Sequence, residues 1–225
     1  MSDWGALSQR EQERYRDGES RLPDVEDQDA RQRQLTRMGN AAAGAGLAEL
    51  MGGNTAAARE WFARAVERYR ESWDDAPPAS WGRPIGMLKA RVLAGDWEGA
   101  ASDAEWTLVQ GAVDAESPIG RYAACLALLV LGRDEEARVL ADGLRTHDGF
   151  PSDVGDALAM IAAEDVLGYI EAVESVLESF EQRDEYLEDM PVADTVIVLQ
   201  ALAGRRGMAA ELSSALLPGS DPAGV

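Results

Sequence analysis

Cysteine, histidine and lysine are almost missing from this 225-residue sequence, which has one of each. Cys125 has no second cysteine with which to form an intramolecular disulfide. One cysteine and one histidine, His147, give no recognisable zinc motif. Cys125 also lies in the apolar stretch 123–127. We therefore expect a small buried thiol there rather than a nucleophile paired with His147.

Long hydrophobic runs are missing as well. A membrane-spanning helix needs about 18 apolar residues, and the longest apolar stretch, residues 122–131, has ten. That stretch predicts a buried helix. The first 14 residues, MSDWGALSQREQER, carry acids where a signal peptide needs basic and then apolar residues. These features predict a cytoplasmic protein that has no membrane partner.

The common catalytic motifs are missing too. No glycine-rich loop precedes a Lys-Ser or Lys-Thr pair, and neither a Gly-x-Ser-x-Gly elbow nor a His-Glu-x-x-His motif occurs. Gly44 and Gly46 match half of a dinucleotide-binding fingerprint, but no predicted strand precedes them. We expect no catalytic, cofactor-binding or metal-binding residues. An enzyme with a carboxylate-based site is the remote alternative. Clusters of acidic residues alone do not support it, because 41 acidic residues form clusters by chance.

Acidic residues are abundant and unevenly distributed. They outnumber basic residues 41 to 21, giving a net charge of −20. Residues 1–94 have a net charge of about −1, whereas residues 95–225 have −19. Such a surface repels nucleic acids, whose binding needs clusters of lysine and arginine. The composition resembles that of proteins from salt-loving organisms. The acidic half is either an adaptation to salt or a surface that attracts a basic partner.

Three short stretches of the sequence resemble one another. Each begins with a glycine, Gly53, Gly95 or Gly132, and has an alanine five residues later. Glycine accepts the left-handed conformation that ends many helices. The next helix can then be capped by Asn54 at the first corner, by Asp96 at the second and by Asp134 at the third. Each stretch therefore predicts a tight corner between two antiparallel helices.

Apolar residues with helical spacing follow each corner, and strand-like alternation is nearly absent. Residues 195–199 have strand propensity, but their apolar continuation favours a buried helix. We predict an all-α fold, an array of antiparallel helix hairpins, over residues 25–218. Residues 1–24 are predicted to be a polar segment with at most a short helix near residues 8–17. Residues 219–225 are predicted to be a disordered tail.

The hairpins resemble tetratricopeptide repeats. Residues 46–77 fit that pattern best, with small and aromatic residues at Gly46, Gly53, Ala58, Phe62 and Ala65. The later pairs keep the glycine and the alanine and lack the aromatic residue. The resemblance implies a tetratricopeptide-like α-α superhelix.

Two tryptophans and an arginine lie around a proline-rich loop. Trp73 and Trp81 flank it, and Arg83 follows. Aromatic and arginine side chains often anchor protein interfaces, so these three residues are the predicted partner-binding site. The alternative is that they wedge the loop against neighbouring helices.

The C-terminal residues 193–218 are similar to the end of the bacterial immunity protein 49 family. The shared features are Leu202-Ala203, Arg206-Gly207, Ser213-Ser214 and Leu217-Pro218. The resemblance implies a non-catalytic protein that binds and neutralises a cognate toxin, and an acidic inhibitor would suit a basic toxin. The alternative is a general tetratricopeptide-like adaptor of a salt-adapted organism.

Overall fold

The computed structural model describes residues 2–219, which form ten α-helices and no strand. The all-α prediction is confirmed for this part of the chain. Apart from Gly219, the predicted disordered tail lies outside the described residues. The helices are α1 (Trp4–Arg21), α2 (Gln28–Met51), α3 (Thr55–Asp74), α4 (Gly82–Leu93), α5 (Trp97–Val109), α6 (Pro118–Val130), α7 (Asp134–Arg145), α8 (Ser152–Ala162), α9 (Val166–Glu181) and α10 (Asp194–Gly204).

Each helix from α1 to α9 packs against the next one along the chain, as in an array of antiparallel hairpins. Helices α2, α4, α6 and α8 share one side of the array, and α10 returns to that side to pack on α4 and α8. Residues 195–199 lie within α10 and are helical, as predicted. None of the helices between residues 2 and 219 combines the length and apolar composition needed to cross a bilayer.

The predicted corners at Gly53, Gly95 and Gly132 are present. The φ angles of these glycines are 79°, 68° and 70°. At the first corner, the amide of Asn54 donates to the carbonyl of Glu49 and the amide of Gly53 donates to that of Leu50. This pattern is the Schellman motif, which satisfies the last carbonyls of a helix and reverses the chain. The other two corners repeat the same pair of hydrogen bonds.

A fourth corner of this type joins α8 to α9 without a glycine. Glu164 takes the left-handed position with φ 53°, and the amide of Asp165 donates to the carbonyl of Met160. Five residues after Glu164, Tyr169 stands where the other corners have alanine. This corner has no glycine to mark it in the sequence, because a glutamate takes the strained left-handed position.

The predicted helix caps are only partly correct. Asp96 caps α5, because its Oδ1 accepts the amide of Gly99 at 2.9 Å. Asn54 makes no capping bond, since its side-chain amide donates instead to Glu49. Asp134 is the first residue of α7 rather than its cap, and its carboxylate pairs with Arg206.

The N-terminal segment forms a longer helix than predicted. Helix α1 has 18 residues, is capped by Asp3 and packs along α2. Its buried residues are Ser8, Glu11, Tyr15 and Gly18. Because three of these four are polar or lack a side chain, α1 shows no apolar periodicity in the sequence. Burial of the Tyr15 ring, 5.5 Å from that of Trp61, ties α1 to the array.

Candidate functional site

A cleft of about 570 Å³ opens on the side of the array that α2, α4, α6 and α8 share. The end of α9 and residues 186–195, which we call the return segment, form its remaining wall. All three phenylalanines of the chain and three of its five tyrosines line the cleft. They are Phe62, Phe150, Phe180, Tyr69, Tyr122 and Tyr186. The single lysine of the chain, Lys89, lies there too.

Tyr69 occupies the floor of the cleft between α2 and α4. Its ring is so close to Gly39 and Gly86 that a Cβ on either glycine would lie 2.7 Å from a ring carbon. The hydroxyl of Tyr69 donates to Oδ1 of Asn40 at 2.9 Å. Burial raises the pKa of Tyr69 well above its usual value, and the negative charge of Glu188 adds to the effect. Tyr69 is therefore a neutral hydrogen-bond donor that fixes Asn40.

The return segment is held in the cleft by charged contacts. Arg10 donates to the backbone carbonyl of Glu188 at 2.8 Å, and Arg14 pairs with its carboxylate. Nδ2 of Asn40 donates to the same carboxylate at 3.0 Å. Burial works to raise the pKa of Glu188, but the hydrogen bonds from Arg14 and Asn40 and the charges of Arg14 and Arg10 outweigh it, so the pKa lies below its usual value.

Two further features fix the return segment. The ammonium of Lys89 pairs with Asp194 at 2.5 Å and donates to the hydroxyl of Thr195 at 3.1 Å. Glu188 and Asp189 both have positive φ angles, 55° and 53°. Non-glycine residues adopt this conformation only where surrounding contacts enforce it. Here the enforcing contacts include those that Arg10, Arg14 and Asn40 make with Glu188.

Arg83 lies at the cleft and is bonded only to neutral groups. Its Nε donates to the hydroxyl of Ser72 at 2.7 Å, and Nη2 donates to the side-chain oxygen of Gln32. No carboxylate within residues 2–219 forms an ion pair with it. Burial lowers the pKa of Arg83 from its usual value, yet an arginine remains charged at neutral pH. The cleft thus contains a cation without an anionic partner in the described chain.

The three predicted partner-binding residues lie together, but they mostly face inward. The rings of Trp73 and Trp81 are 5.4 Å apart, and Trp81 is only 7% exposed. Trp73 also meets Trp106 edge-on at 5.4 Å. Arg83 points toward Ser72 and Gln32, as described above. Trp73 and Arg83 are half-buried, and the partner-binding role of the three residues stays a prediction.

Cys125 and His147 show no sign of acting as a pair. The thiol is fully buried and lies 3.6 Å from the carbonyl of Ala137. Burial raises the pKa of Cys125 to about 12. Nδ1 of His147 accepts the amide of Gly149 at 3.0 Å, within its own loop. Within the described residues, no cluster of three or more histidine, cysteine or carboxylate side chains is arranged to hold a metal.

The outer side of α9 carries a row of acidic residues. Glu171, Glu174, Glu178 and Glu181 are all exposed and follow one another at intervals of three or four residues, which places them on one face. None of them forms an ion pair within residues 2–219. We call this row the α9 acidic face.

No protein-family model, curated protein or solved structure matches this chain. The resemblances to tetratricopeptide repeats and to the immunity protein 49 family therefore stay predictions. Sequence reasoning missed the cleft, including Asn40, Lys89 and Glu188. No signal in the sequence marks it, since only the folded structure shows that the single lysine and every phenylalanine of the chain meet at one place.

Proposed function

We propose that this is a cytoplasmic, non-catalytic protein that binds a basic protein partner, and more specifically an immunity protein that neutralises a cognate toxin. The observation that carries the proposal is the α9 acidic face, because its four carboxylates have no cationic partner in the described chain. A basic surface that meets this face would supply the missing positive charges. Complementary charge of this kind raises the rate at which two proteins meet and orients them as they bind.

The scaffold behind the α9 acidic face is suited to such a role. The opposite side of α9 is buried through Tyr169, Val173, Val176, Leu177 and Phe180. These side chains anchor the helix in the largest apolar cluster of the protein. The glutamates therefore stand on a rigid backbone, which limits the conformational entropy lost on binding to that of the side chains themselves.

The inner side of the array is less suited to a protein partner, because the return segment already occupies part of it. We therefore place the partner on the outer side. Trp73, which is half-buried and packs on Trp81, is the part of the predicted site that offers an additional contact.

Affinity purification of the tagged chain at low salt, where exposed charge pairs are least screened, followed by mass spectrometry, identifies the partner. We expect a basic toxin whose gene lies beside this one, and co-expression of the chain should rescue growth of cells that make the toxin. Changing all four glutamates of the α9 acidic face to glutamine should abolish rescue and weaken binding by tenfold or more, since several charge pairs are lost.

A matched control removes the same number of charges elsewhere. Glu13, Glu26, Glu60 and Glu67 are exposed residues of the N-terminal half, and their change to glutamine should leave rescue intact. Capture of a non-toxic partner would favour the adaptor alternative. Equal loss of binding in both quadruple variants would contradict the placement of the interface on α9.

A further inference from the structure

We propose that the cleft is a binding site for a small aromatic carboxylate, with Arg83 binding the carboxylate and the surrounding rings enclosing the aromatic body. Nothing in partner binding requires this site, so the proposal goes beyond the function proposed above. The first support is the balance of charge in the cleft. Its lining includes three cations, Arg83, Lys89 and Arg183, and two carboxylates, Glu188 and Asp194.

The carboxylates of the cleft pair with other cations and leave Arg83 without an anionic partner among the described residues. Lys89 pairs with Asp194, and Glu188 pairs with Arg14. Arg183 is exposed and stacks on the Phe180 ring, 3.7 Å from its centre. Arg83 alone is both partly buried and bonded only to neutral groups. In a protein of net charge −20, a cleft that retains an uncompensated cation selects an anion.

The shape beside Arg83 suits a flat apolar body. Arg83, Gly86 and Lys89 follow one another at intervals of three residues on the cleft side of α4. Arg83 and Lys89 are therefore about 9 Å apart along the helix axis. Gly86 lies between them, and the ring of Tyr69 packs directly on it and forms the floor of the cleft between the two cations. Aromatic rings prefer to pack against other rings in offset or edge-on contact.

Tyr122 adds a second polar group to the site. It lines the cleft, and its hydroxyl makes no hydrogen bond to another group of residues 2–219. Because no buried side-chain oxygen or nitrogen of these residues lacks a partner, this hydroxyl is open to the cleft. It is therefore free to donate a hydrogen bond to a ligand.

The size of the cleft favours a small molecule over a polypeptide. Its volume of about 570 Å³ is within the range of small-ligand sites, roughly 300–1,000 Å³. The return segment closes one wall and is fixed there by Glu188 and Asp194. An extended peptide would have to displace that segment, whereas a one- or two-ring acid fits beside it.

The test compares 2-naphthoate with its neutral isostere 2-naphthamide, by calorimetric titration of the full chain. We expect 1:1 binding of the acid and at least about tenfold weaker binding of the amide, since only the acid makes a charge-assisted bond. Decanoate, an aliphatic acid, should also bind more weakly than 2-naphthoate. These comparisons use the unaltered protein and do not depend on the folding of any variant.

Substitutions then test whether Arg83 supplies the positive charge that binds the carboxylate. Arg83→Met should weaken 2-naphthoate binding about tenfold or more and leave 2-naphthamide binding unchanged. Arg64→Met is the matched control, because Arg64 is exposed, stacks on Trp61 on α3 and does not line the cleft. If Arg83→Met proves unstable in thermal unfolding, Arg83→Lys is measured in its place. It keeps the positive charge and should keep most of the affinity for 2-naphthoate. Equal affinities for acid and amide, tighter binding of decanoate, or equal effects of the two methionine variants would overturn the proposal.

Discussion

The ring of Tyr69 lies against Gly86 so closely that an added Cβ would come within 2.7 Å of it. Gly86→Ala should therefore destabilise the protein by about 1–3 kcal/mol, because the added Cβ displaces a ring that packs on Gly39 at its other edge and is hydrogen-bonded to Asn40. Denaturant unfolding measures the change. Gly143→Ala is the matched control, since an added Cβ there meets nothing within 4 Å. It should stabilise α7 by about 0.5–1 kcal/mol.

Replacing Glu164 by glycine should stabilise the protein. Glu164 stands in the left-handed position of the α8–α9 corner, with φ 53°. Glycine adopts that conformation without the clash that a Cβ causes, and the gain should outweigh its greater entropy in the unfolded chain by about 0.5–1 kcal/mol. Thermal unfolding of Glu164→Gly and Glu164→Ala separates the backbone effect from loss of the carboxylate. A stabilisation by alanine equal to that by glycine would argue against strain at this corner.

Loss of Arg206 should be costly. Its guanidinium, 8% exposed, pairs with Asp134 and also donates to the carbonyls of Leu129 and Leu202 at 2.8 and 2.9 Å. Arg206→Met leaves these acceptors without their donor and should cost about 3 kcal/mol, or a fall in Tm of about 6–12 °C. The neighbouring Arg205 is exposed and only stacks on Trp97. Arg205→Met should therefore cost less than about 1 kcal/mol.

Glu188 should make stability depend on acid pH. Its pKa in the folded protein lies below its usual value, despite its burial, because of Arg14 and Asn40. Its contribution is therefore fully present above the unfolded-state pKa, about 4.3, and is lost as the pH falls through the lower folded-state pKa. Glu188→Gln should be less stable than the unaltered protein at pH 7, and the difference should shrink below about pH 4.

Urea unfolding between pH 7 and pH 3 measures that difference. Glu185→Gln is a suitable control, because Glu185 is exposed and makes no ion pair within the described residues. The free energy of unfolding of Glu185→Gln should change with pH in the same way as that of the unaltered protein. A constant gap between Glu188→Gln and the unaltered protein at every pH would contradict a contribution from the ionised carboxylate of Glu188.

The corners of the array could be predicted because each depends on a single local signal. Gly53, Gly95 and Gly132 have positive φ angles that favour glycine, and the apolar residues around them repeat with helical spacing. The α8–α9 corner lacked that signal because Glu164, rather than a glycine, adopts the left-handed conformation there. Helix α1 was underestimated because its buried side includes Ser8 and Glu11, which look like surface residues in a sequence.

The cleft could not be predicted, because it depends on contacts between distant parts of the chain. Lys89 meets Asp194, and Arg14 meets Glu188, 174 residues later. No local pattern records such pairings. Arg83 was predicted as a partner-binding residue from its place beside the proline-rich loop, and that role stays a prediction. Its hydrogen bonds to Ser72 and Gln32, 11 and 51 residues away in sequence, could not be read from the sequence.

The bond between Arg14 and Glu188 also bears on how the molecule comes apart. A linear stack of hairpins has free ends, and its terminal units can fray one after another. Here α1 is joined to the return segment, which follows α9, through Arg10, Arg14 and Glu188. Detachment of α1 breaks these contacts, so we expect α1 and the return segment to come loose together rather than separately.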